Sequence, residues 1–140
     1  MRAAQIVRPA LGLLAFSALL IGFTASFFPH TFYEDFPFVA HWVDLLPPYN
    51  EHLVTDVGGL YLGFAVLFAW AGWTLERTLV RAVCTAWLLT ATLHLIFHAS
   101  HLEGFSTADA VAELVSLALL VGAPALALWA SFPPPGTLRP

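Results

Sequence analysis

Four stretches of this chain, residues 9–28, 53–75, 83–99 and 110–132, are almost free of charge. Each approaches the roughly 20 residues with which a helix crosses a bilayer. Of the 140 residues, 59% are hydrophobic and only 10% charged, which is far more apolar than a soluble core of this size requires. The expected fold is therefore all-α: an integral membrane, antiparallel four-helix bundle in the cell membrane. Its multi-pass spans should cover about 9–28, 53–75, 82–102 and 108–131 within one domain, 1–132, followed by a disordered tail, 133–140. The first run could pass for a signal peptide, but its length favours an uncleaved anchor.

Charge sets the orientation. There is no lysine, and Arg2, Arg8, Arg77, Arg81 and Arg139 fall before the first span, between the second and third, or after the fourth. By the positive-inside rule both termini and the 76–82 loop are cytoplasmic. The opposite side then receives all six histidines and every carboxylate except Glu76. Such a field attracts cations and repels anions, which argues against nucleic acid as a partner. Cys84 stands alone in an apolar run and reads as small core packing.

Local signals mark the elements. Asn50 caps the second span, Ser106 to Asp109 form a capping box before the fourth, and Gly104 fits the C′ position after the third. Pro124 should kink the fourth span without ending it. Two small-residue stripes, Ala18–Gly22–Ser26 and Gly59–Gly63, suit close helix packing. The aromatic loop after the first span suggests a short surface helix over 38–46.

Histidines at 94, 98 and 101 share one stripe of the third span. At about 1.5 Å per residue, Asp56, His98 and Glu113 lie about 7, 8 and 9 Å inside their helix ends, so three helices bring ligand-type groups to one depth. His52 stands one turn from Asp56, His94 one turn from His98, and Asp109 one turn from Glu113. Facing histidine and carboxylate pairs of this kind build metal sites in helical bundles. Asp109 reads first as a capping residue. The expectation is a divalent metal site, with Zn, Fe or Mn held by Asp56, His98 and Glu113, and His94, His52 and His101 as further ligands or proton carriers. The bland alternative is a polar network that only ties the helices together.

HTFYEDFP after the first span, PYNEHLVTDVGGLYLGFA opening the second and HLIFHASHLEGF ending the third give the chain its one family likeness. It resembles small actinobacterial membrane proteins of the DoxX-like type. DoxX itself is similar to a subunit of a thiosulfate:quinone oxidoreductase, so the resemblance implies redox chemistry coupled to quinone at the outer face. No catalytic motif matches position by position, and no residue role is carried over.

The leading functional expectation is a membrane-embedded metal site between the second, third and fourth spans, in a metal-dependent enzyme or redox subunit acting on a small or lipid-soluble substrate. The competing one is a non-catalytic accessory subunit that docks a membrane protein partner. A cation pathway ranks lowest, because the inner halves of the spans offer only scattered Thr, Ser and Trp.

Overall fold

The computed structural model describes residues 2–37, 40–46 and 48–132. Among them all regular structure is helical: α1 (Arg2–Phe27), α2 (Pro29–Asp35), α3 (Glu51–Thr74), α4 (Arg77–Ala99) and α5 (Thr107–Ala130). All except α2 are long and apolar enough to cross a membrane. The expected disordered tail lies outside the described residues.

Several boundaries follow from local chemistry. The Asn50 side chain accepts from the Leu53 N–H and starts α3. Glu76 accepts from the N–H groups of Thr78 and Leu79, so α4 begins ahead of the expected 82. It also ends earlier than expected, at Ala99, and Gly104 sits in the loop beyond, where its φ of 90° suits a residue without Cβ. Ser106 opens α5 by accepting from the Asp109 N–H, and Pro124 does not terminate that helix. The short helix of the aromatic loop is α2, with Pro29 at its first turn, rather than the expected 38–46. The described residues of 38–46 instead form turns, closed by bonds from Trp42 N–H to Phe36 and from Leu46 N–H to Val43.

Close approach of small residues fixes the direction of packing. A Cβ added to Gly22 would lie 2.7 Å from the Leu62 backbone nitrogen, and one added to Gly58 would lie 2.6 Å from that of Ser26. Residue 22 thus meets 62 while 26 meets 58, so α1 and α3 run antiparallel. Ala18–Gly22–Ser26 belongs to this seam on the α1 side. On α3 the seam residue is Gly58; Gly59 and Gly63 face open space. The expected Gly59–Gly63 packing is therefore corrected by about 100°, one residue of helix rotation.

His98 meets Glu113 while Arg81 meets Ser131, so α4 and α5 are antiparallel too. The Arg81 guanidinium donates to the Ser131 carbonyl at 2.8 Å and lies over the Phe132 ring, closing the C-terminal end of α5. Arg8, Arg77 and Arg81 all belong to this end of the bundle. The dry core lies nearer this arginine end, around Leu11, Leu14, Phe68, Val80, Cys84 and Trp87. An open groove lined by Arg8, Leu11, Phe68 and Trp73 flanks that core, and the other end holds a more enclosed hollow.

Candidate functional site

The hollow is a cavity of about 470 Å³ at the acidic end. Phe16 and Leu20 of α1 form one wall, Val57 and Tyr61 of α3 a second, and Leu117 and Leu120 of α5 a third. Phe32 of α2, together with Phe36, Trp42 and Leu46 of the following loop, covers its top. Trp42 is held there because its indole N–H donates to Asp109 at 3.2 Å, while the Ser106 hydroxyl donates to the other oxygen of the same carboxylate. Asp109 is thus a capping residue that also anchors the loop.

Into this apolar chamber α4 brings His94 and His98, and α5 brings Glu113 and Ser116, whose hydroxyl is turned back onto the Ala112 carbonyl at 2.7 Å. His98 Nδ1 lies 2.7 Å from Glu113 Oε1. Both residues are buried, His98 at 7% and Glu113 at 3% exposure. Neither His98 Nδ1 nor Glu113 Oε2 has an aligned hydrogen bond. The contact is therefore an electrostatic one made off the axis of the ring N–H, and one carboxylate oxygen is left unmatched. An unmatched buried polar group costs about 1–3 kcal/mol, so such a group calls for an explanation. The His94 ring stands edge-on to His98, with centroids 4.4 Å apart.

The other expected site residues lie elsewhere. Asp56 pairs with His52 at 3.4 Å, and the two side chains are 60% and 87% exposed. Asp56 sits about 200° around α3 from Gly58, so the seam with α1 turns it away from the cavity. The ring of His101 stacks on Phe97 and contacts its carbonyl at 2.8 Å. Equal depth did not mean equal azimuth. Among the described residues, no three His, Cys, Asp or Glu side chains are grouped to hold one ion.

Two cavity residues carried little signal in the sequence. Tyr61 packs edge-on against Trp87 at 5.2 Å and lines the chamber from below. Trp42 is one of several aromatics in the loop after the first span, and nothing local singles it out. A tyrosine one turn beyond Val57 would have been informative once the cavity face of α3 was known.

Searches against protein-family models, curated proteins and solved structures found no match. The DoxX-like likeness therefore rests on the quoted segments alone.

Proposed function

We propose that the chain is a multi-pass membrane protein, arginine end in the cytoplasm, whose outer half binds a lipid-soluble molecule and presents its polar group to His98 and Glu113. The observation that carries this reading is the unmatched Glu113 oxygen, buried beside His98 in the wall of an apolar chamber of about 470 Å³. Pockets for small molecules combine such walls with a few convergent polar groups. A carboxyl and an imidazole in contact can also pass a proton to or from a bound group, the requirement for acid–base chemistry. Ionisable residues within spans usually mark function.

A second reading retains the divalent ion, Zn, Fe or Mn. What favours it is the concentration of imidazole nitrogen and carboxylate oxygen on two facing helices, with the bound molecule completing the shell. The accessory-subunit reading would leave the cavity without a role.

The test is extraction of purified protein into organic solvent, followed by mass spectrometry and elemental analysis, for wild type and a Leu117→Trp variant that fills the chamber. The proposal expects a retained non-phospholipid compound that the variant loses. Phospholipid alone, in equal amount from both proteins, overturns it. A stoichiometric ion would move the second reading to first place.

A further inference from the structure

The chamber has a side opening. Leu13, Phe16 and Leu119 line it and yet are 44%, 66% and 59% exposed, so the gap between α1 and α5 faces the surface that lipid covers. Along α1 the lining runs from Ile21 to Leu13, about 12 Å of wall that is apolar except for Ser17. The polar groups lie at the acidic end of the same space. This shape fits an amphiphile that slides in from the bilayer with its head toward His98 and Glu113 and its tail along α1 and α5.

For a molecule arriving from lipid, the tail contributes little selectivity, because it leaves one hydrocarbon environment for another. The head decides. Eight of the nine carboxylates and, among the described residues, no Arg lie toward this end, and Asp109 stands one turn above Glu113. An anionic head would meet like charge there. An ammonium, though drawn by the surrounding carboxylates, would carry a full charge out of water into an apolar chamber. A hydroxyl is suited to the site as it stands: its O–H donates to Glu113 Oε2, the unmatched oxygen, and its lone pairs accept from an imidazole N–H.

Building on the proposed function, we infer that the ligand is a neutral, hydroxyl-bearing amphiphile with a linear apolar tail, admitted sideways from the membrane between α1 and α5. The experiment uses the full chain in phosphatidylcholine nanodiscs and three tail-diazirine probes: hexadecanol, hexadecanoic acid and hexadecylamine. After irradiation, labelled peptides are mapped by mass spectrometry. The alcohol should label residues 13–21 and 116–120, compete with unlabelled hexadecanol, and exceed the acid and amine by about tenfold, the selectivity of one or two hydrogen bonds. Labelling should fall by a similar factor in Glu113→Leu. Because that change leaves His98 without its partner, the double variant His98→Leu, Glu113→Leu is run beside it and should show the same loss in a folded protein.

Equal labelling by the acid or the amine overturns the neutral head. Alcohol labelling that survives the double variant overturns recognition by the pair. If no probe enters while a compound still co-purifies with wild type and not with Leu117→Trp, this inference fails and the proposed function stands. If no probe enters and nothing co-purifies, both fail.

Discussion

Replacing Gly58 with alanine adds one methyl group where, of the described glycines, a Cβ meets its neighbours most closely. The new Cβ would lie 2.5 Å from Ser26 Oγ, 2.6 Å from Ser26 N and 2.9 Å from the Ala25 carbonyl carbon. The hydroxyl can rotate away. The two backbone atoms cannot, so α1 and α3 must separate along the seam that holds them together. Overpacking of this kind costs up to about 3 kcal/mol. Alanine recovers about 1 kcal/mol in helix propensity. The net loss is thus up to about 2 kcal/mol. Gly59→Ala next door meets nothing within 4 Å, so only the propensity gain remains and the variant should be neutral or slightly stabilised. Unfolding of wild type, Gly58→Ala, Gly22→Ala, Gly59→Ala and Gly63→Ala in one detergent decides the matter. Loss of stability in Gly59→Ala or Gly63→Ala, with Gly58→Ala unaffected, would refute the seam and the position of Asp56 that depends on it.

Other perturbations test other parts of the account. Glu113→Ala should cost about 1–3 kcal/mol in unfolding measurements, because it strands the buried His98, whereas His98→Phe combined with Glu113→Leu should be close to neutral. Additive losses would show that the pair does not interact. Trp42→Phe removes the bond to Asp109 and should let a maleimide reach a cysteine placed at Leu117, a half-buried lining residue, severalfold faster; an unchanged rate would mean that the loop is held by something else. Glu76 accepts from the backbone N–H of Thr78 and then of Leu79, which holds its carboxyl below the ordinary value of 4.5. Its contribution to stability is therefore complete above that value and is lost as pH falls through the lower folded value. Glu76→Gln should weaken this acid-dependent part of the unfolding profile, and identical profiles below about pH 5 would exclude the cap as its source. A reporter inserted near Asp44 should be external and one after Phe132 cytoplasmic; the reverse result would place the cavity in the inner leaflet.

The sequence made the helices legible and their rotations illegible. Uncharged runs near 20 residues, Asn50 and Ser106 sufficed for four long helices and two of their starts. In a soluble bundle an apolar stripe also tells which face turns inward. Here the four long helices are apolar on most of their circumference, as helices that can cross a membrane are, and that stripe is weak. Gly59–Gly63 and Gly58 are one residue apart in sequence, and only the approach of Ser26 shows which of them meets α1. The candidate site divided for the same reason. His98 and Glu113 were legible because few ionisable residues lie inside the spans, and depth alone brought them level. Asp56 was level too, but its azimuth depends on the α1–α3 seam. The cavity cap was least legible, since the bond from Trp42 to Asp109 joins residues that no local pattern connects.

The contact between His98 and Glu113, and its response to what fills the chamber, is the most direct point of attack. Isotope-edited solid-state NMR in lipid bilayers can read the dipolar coupling between His98 Nδ1 and the Glu113 carboxyl carbon, first with the co-purified compound in place and then after it has been stripped. A direct coupling in both states, together with a Glu113 carboxyl resonance that shifts on stripping and shifts back on readdition, is the predicted result. Absence of the coupling, or a carboxyl resonance indifferent to the compound, would contradict the account.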